Sequence, residues 1–104
     1  MGMDMQRLMK QAQKMQQQAK EVQRSLAKET VEGSAGGGAV RVVATGSQEI
    51  RSVHIDPEAV SGADSEMLED LVLAAVNDAL TKSKALAQEA LARVTGQLQM
   101  PPLG

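Results

Sequence analysis

The sequence predicts an α+β fold in which an antiparallel three-stranded sheet lies between two long helices, in the order α-β-β-β-α. Three observations predict it: a helical apolar repeat near the N-terminus, three short β-branched segments, and a second helical apolar pattern after them. The chain has 104 residues, which favours one domain over 1–104. The predicted elements are a helix at about 4–28, strands at about 29–33, 40–45 and 50–55, and a helix at about 65–94.

The first helix has apolar residues that alternate in spacing between three and four. These residues form an a/d heptad seam, here called the α1 seam: Met5, Leu8, Ala12, Met15, Ala19, Val22 and Leu26. No Gly or Pro interrupts the segment from Asp4 to Glu29. Alanine at two a positions makes the seam thin, so we expect it to pack against a neighbouring helix and the sheet.

The three predicted strands are joined by short connections. Residues 34–39 (SAGGGA) predict a flexible connection, and Gly46-Ser47 predicts a hairpin turn. Asp56-Pro57 ends the sheet, because proline cannot continue a central ladder. The resulting meander has exposed edges, which a second copy of the chain could cover.

The second helix is predicted to begin at a cap, Asp64 or Ser65, and to stop at Gly96. Residues 97–104 then predict a disordered tail.

The composition bounds the class of protein. The chain has no Phe, Tyr or Trp, so its core must be thin, and oligomerisation is a natural way to complete it. The absence of cysteine excludes disulfides and cysteine metal sites, which favours an intracellular protein. Without a signal-peptide h-region or an apolar run of about 20 residues, we expect a cytoplasmic protein with no membrane contact.

Residues that could support catalysis or metal binding are sparse. His54 and Asp56 could be two ligands, but a metal site needs three or four. Carboxylates at 66, 69 and 70 could be an acid/base or hard-metal site, although stabilisation of a helix start explains them more simply. The glycines at 36–38 lead into a strand and not into the helix that a phosphate loop requires. We therefore predict no enzyme activity, no cofactor and no small-molecule substrate.

The charge is distributed unevenly. Residues 1–28 have six basic and two acidic side chains, a balance of +4, whereas residues 29–104 have five and eleven, a balance of −6. The basic residues of the first helix occupy heptad positions b, c and f, away from the α1 seam: Arg7, Lys10, Lys14, Lys20, Arg24 and Lys28. Two interpretations stay open, a stripe that contacts phosphates or an ordinary solvated face.

The second helix adds Lys82, Lys84 and Arg93 in its C-terminal half. These residues either complement the helix dipole or form a basic tip with the far end of the first helix. Because proteins that bind single strands stack bases on aromatic rings, the composition favours backbone contact with duplex DNA if nucleic acid is bound.

Three stretches together resemble the YbaB/EbfC family of bacterial nucleoid-associated proteins. They are Leu8–Gln16 (LMKQAQKMQ), Val53–Pro57 (VHIDP) and the segment from Met67 to Ala79, and the tail Met100-Pro101-Pro102 is similar as well. The resemblance implies an α-β-β-β-α protomer, an intertwined homodimer whose sheets join, and double-stranded DNA binding of low sequence specificity at the nucleoid, with effects on nucleoid organisation and gene expression.

The resemblance also indicates candidate DNA-binding residues. Lys10 and Lys14 lie within the matching stretch of the first helix. Position and charge add five more candidates: Arg7, Lys20, Arg24, Lys82 and Lys84. The alternative function is a homodimeric, chaperone-like clamp for a protein partner, which the methionines of the α1 seam would suit.

Overall fold

The structure, a computed structural model, describes residues 2–97 of the chain and the side chains of residues 4–94. Its elements are α1 (Gly2–Lys28), β1 (Thr30–Ala35), β2 (Val40–Thr45), β3 (Ile50–Ile55) and α2 (Ser65–Gln97). The predicted α+β class and α-β-β-β-α order are confirmed. Neither helix, over the described range, combines the length and apolarity that a bilayer crossing requires.

The sheet has the order β1-β2-β3 and is antiparallel throughout. Gly33 of β1 and Val53 of β3 both lie opposite Val42 of the central strand. Because side chains alternate between the faces of a strand, Val40, Val42 and Ala44 all point to one face, where they are fully buried.

Helix α2 covers this apolar face over β1 and β2, with Ala75 and Ala79 fully buried against the strands. The approach is so close that a Cβ atom on Gly33 would lie 2.6 Å from the carbonyl oxygen of Ala75 and would also meet the backbone nitrogen of Ala79. Small side chains on both elements therefore bring helix and sheet together, in place of the large ones that the chain lacks.

The free edge of β1 is covered by two side chains of α2, here called the edge clamp: Asp78 and Lys82. The Asp78 carboxylate accepts a hydrogen bond of 3.0 Å from the Ser34 backbone N–H. Lys82 Nζ donates to the Glu32 carbonyl oxygen at 3.0 Å and pairs with Asp78 at 3.3 Å. Two of the backbone groups of β1 that would bond another strand are thus already bonded.

The Ser34 N–H, followed by the Lys82 ammonium, lowers the pKa of Asp78 below its usual range. Since the pKa is lower in the folded protein than in the unfolded chain, the clamp stabilises the fold above the ordinary carboxyl range. This stabilisation disappears as the pH falls through the lowered pKa.

The connection between β1 and β2 differs from the predicted flexible segment. β1 continues to Ala35, and a four-residue turn follows, in which the Ala39 N–H bonds the Gly36 carbonyl at 3.3 Å. The three glycines at 36–38 have φ values of 65°, 67° and 95°. They are therefore the residues of a tight hairpin, because side-chain-bearing residues rarely adopt this backbone region.

The connection between β2 and β3 is longer than the predicted Gly46-Ser47 turn. The hydroxyl of Thr45 accepts hydrogen bonds from the backbone N–H groups of Ser47 and Glu49, and Gln48 is the residue with positive φ, at 65°. Gly46 is required for a different reason, since a Cβ there would lie 2.8 Å from the Leu26 carbonyl oxygen. It lets the end of α1 approach the turn.

The α1 seam packs on the rest of the protein only near its C-terminal end, contrary to the prediction. Leu26 is buried and Val22 is half-buried, whereas Met5 and Leu8 are 69% and 64% exposed. The reason is length: α1 extends for about 40 Å and a six-residue strand for only about 20 Å. Residues 4–21 therefore project as an arm from a molecule 74 Å long.

The C-terminal end of α2 also differs from the prediction, because the helix continues through Gly96 to Gln97. One glycine in a helix costs about 1 kcal/mol relative to alanine, which is too little to end a helix by itself. Residues 98–104, the rest of the predicted disordered tail, lie outside the described residues.

Gly33→Ala should destabilise the protein by about 2 kcal/mol, because α2 must move away from β1 to admit a methyl group. Thermal unfolding monitored by circular dichroism measures the effect. Gly37→Ala is the matched control: it adds the same group in open space, at a φ of 67°. Its expected cost is only the backbone strain, about 1 kcal/mol. Equal losses in the two variants would contradict the close helix–sheet contact.

Candidate nucleic-acid interface

The basic residues of α1 form a continuous band on one side of the helix, here called the α1 basic band: Arg7, Lys10, Lys14, Lys20 and Arg24. At 100° per residue they span about 140° of the helix circumference, directly opposite the α1 seam. All five side chains are exposed. The first four lie on the projecting arm, where a long, straight molecule could lie beside them.

The α1 basic band has no carboxylate partners among the described residues. The ion pairs that the described residues do form, Lys82 with Asp78 and Arg93 with Glu89, are both within α2. An exposed cation without a protein partner attracts mobile anions or a polyanion instead. The band is therefore free to exchange these small ions for phosphates.

The two candidates on α2 have different surroundings. Lys84 is exposed, whereas Lys82 belongs to the edge clamp and keeps 51% of its side chain accessible. Lys82 thus supports the sheet whether or not it also meets a ligand. A sequence pattern alone treats the two lysines as equivalent, because the Glu32 carbonyl that distinguishes them is 50 residues away.

The structure does not bring all seven candidates together in one protomer. The C-terminal part of α2 meets the C-terminal part of α1, where Val22, Leu26, Ala90 and Val94 line a common cavity. Arg7 lies about 22 Å farther along α1. The expected basic tip, formed by α2 together with the far end of α1, is therefore not present in the protomer.

Arg93 is a further candidate, which is not among the seven residues predicted from the sequence. It lines the cavity between the two helices, beside Val22 and Ser25, and its ion pair with Glu89 is long, 3.5 Å, and exposed. The spacing of 11 residues from Lys82 could have identified it, since 11 residues are close to three helical turns and place both on one face of α2.

The other polar features have structural explanations. His54 is exposed and lies opposite Arg41 on the sheet. The described residues contain no group of three or more His, Cys, Asp or Glu side chains that could hold a metal ion. Asp64 is the cap of α2, because its carboxylate accepts a hydrogen bond of 2.8 Å from the Met67 N–H.

Comparisons with known proteins identify relatives over nearly the whole chain. Residues 1–98 match the model of the YbaB/EbfC DNA-binding family. A nucleoid-associated protein of Pelotomaculum thermopropionicum is 50% identical over 103 residues, which are 99% of this chain and 98% of the relative. A nucleoid-associated protein of Saccharopolyspora erythraea is 53% identical over 95 residues, covering 91% and 82% of the two chains.

A solved structure has a similar fold. The crystal structure of an uncharacterized protein from Helicobacter pylori aligns with a TM-score of 0.63 and 21% sequence identity, covering 79% of this chain and 94% of that one. At this identity the likeness concerns the fold alone.

Replacing each α2 lysine by alanine separates their structural roles. Lys82→Ala should lower the Tm by a few degrees, because it leaves the Glu32 carbonyl and the Asp78 carboxylate without their cation. Lys84→Ala, with the same change in charge and helix propensity, should leave the Tm unchanged. Differential scanning calorimetry at neutral pH compares them, and an equal Tm for both variants would argue against the edge clamp.

Proposed function

The chain belongs to the YbaB/EbfC DNA-binding family, and from this premise we propose that it is a nucleoid-associated protein that binds double-stranded DNA through the phosphate backbone with low sequence specificity. The family is defined by DNA binding and not by a catalytic reaction, so the protein is not an enzyme. The observation that carries the proposal is the α1 basic band, five exposed cations on a projecting helix that pair with no carboxylate of the described residues.

The chemistry of the band supports backbone contact over base reading. Arg and Lys are the residues that neutralise phosphates, and each phosphate contact releases condensed counterions. The chain offers no aromatic ring on which an unpaired base could stack. Contacts of this kind hold a duplex of any sequence, as binding along a nucleoid requires. Their strength depends strongly on the salt concentration.

We also propose that the protein acts as a homodimer joined at β3. Within the described residues, no side chain bonds the backbone of this strand, in contrast to β1 and its edge clamp. Beside it lies a mainly apolar groove of about 440 Å³, lined by Ile55, Leu68, Val72, Leu73 and Val76 together with Glu69. Val53 on the same sheet face is 46% exposed. A second copy that pairs its own β3 and fills this groove would complete the thin core.

A second candidate function is a clamp for a protein partner. The exposed methionines of the arm favour it, because unbranched and polarizable side chains adapt to varied surfaces. Complexes captured from a cell extract distinguish the two functions: a protein partner stays bound after nuclease treatment and in high salt, whereas association through DNA does not.

Lys10→Gln/Lys14→Gln should weaken binding to unrelated duplexes by a similar factor, about tenfold, and reduce the slope of log K against log salt by about two. Fluorescence anisotropy at two salt concentrations measures both quantities. The matched control, Arg41→Gln/Arg51→Gln, removes two exposed cations from the sheet. Identical losses in the two double variants would show a net-charge effect and overturn the assignment to α1.

Val53→Glu should convert the dimer into single protomers, because it places a charge on the face that the second copy would cover. Thr30→Glu adds the same charge at an exposed position of β1 and should leave the dimer intact. Light scattering after gel filtration gives the mass of each. A dimer that persists in Val53→Glu, with the wild-type Tm, would rule out the β3 interface.

A further inference from the structure

The arm of α1 has an apolar strip that the other described residues leave exposed along most of its length. Met5, Leu8 and Met15 are 69%, 64% and 41% exposed, and Ala12 and Ala19 are exposed between and beyond them. We call these five residues the free seam. It is about 21 Å long and keeps the 3-4 spacing of a coiled coil throughout.

The residues beside the free seam are uncharged. Heptad positions e and g, which face a partner helix across a coiled coil, are occupied by Met9, Gln11, Gln16 and Gln18. The cations of the arm are all at b, c and f. An identical helix can therefore approach this side without meeting like charge, although residues 1–28 as a whole have a charge balance of +4.

We propose that the free seam is occupied by α1 of a second copy, so that the arms of two protomers pair as a short two-helix coiled coil. An identical helix supplies the matching 3.5-residue period, and the two alanines allow the backbones to come close. A phosphate backbone has no apolar surface to offer this face. Pairing also leaves Arg7, Lys10 and Lys14 of both helices pointing outward.

The expected consequence is a connection between one sheet-joined dimer and the next. Because the seam is short and two of its a positions are alanine, pairing should be weak in free solution. It should strengthen where copies are concentrated side by side. The bridging of two duplexes by such a pair rests on the proposed DNA binding, whereas the pairing of the arms does not.

The decisive variant is Gln11→Glu/Gln16→Glu. It places like charges at a g and an e position, so two copies repel whether the helices run parallel or antiparallel. Sedimentation over a wide concentration range should show association of the arms weakened about fivefold. The matched control, Gln13→Glu/Gln17→Glu, adds the same charge at b and f positions and should associate like the wild type. All four glutamines are exposed, and Glu is an equally good helix former.

The reciprocal variant, Gln11→Lys/Gln16→Lys, should also fail to associate with itself but should bind the Glu variant at least as tightly as two wild-type chains bind each other. A tagged Glu variant that retains the Lys variant on a column would show this pairing. Equal behaviour of Gln11→Glu/Gln16→Glu and its control, or no preference in the mixture, would overturn the proposal. Both Glu variants add the same charge to the arm and should lose DNA affinity equally. A loss of DNA binding is therefore distinguished from a loss of pairing between the arms.

Discussion

The absence of a side chain at Gly33 determines the arrangement of the rest of the protomer. With no aromatic residue available, the core is built from Val, Ala and Gly, and such residues exclude water only if helix and sheet come very close. The backbone of α2 at Ala75 and Ala79 therefore lies directly on β1. A helix in this position covers β1 and β2 and leaves β3 and the groove beside it uncovered. The exposed apolar face thus follows from the way in which the small core is closed.

The same contact makes the two edges of the sheet chemically different. Since α2 lies over β1, Asp78 and Lys82 can reach over the edge and bond Ser34 and Glu32. No described side chain of α2 bonds the backbone of β3 in this way. A sheet with two open edges could add strands indefinitely, whereas one blocked and one open edge permits a closed pair related by a twofold axis. The clamp would therefore limit assembly as well as stabilise the fold.

Most elements of this protein could be predicted from sequence because they have strong local patterns. The 3-4 spacing of α1 and the β-branched segments of β2 and β3 specify secondary structure without tertiary help. The details that depend on distant contacts could not be predicted in the same way. Gly46 looks like a turn residue, but the contact that requires it is with Leu26. The heptad seam of α1 predicts an apolar face correctly but does not state whether the same chain covers it.

The candidate interface shows the same division between local and distant information. The α1 basic band follows from sequence, since a helix fixes the relative direction of its side chains. The role of Lys82 does not, because it depends on a strand 50 residues away.

Whether the overall charge of −2 opposes DNA binding depends on where the charged side chains lie. Charges are screened beyond about 8 Å at physiological salt. Arg7 lies about 22 Å along α1 from the point where the helix meets α2. A duplex beside the arm therefore experiences mainly the local positive charge, and a protein that is acidic as a whole can present a basic surface where it projects.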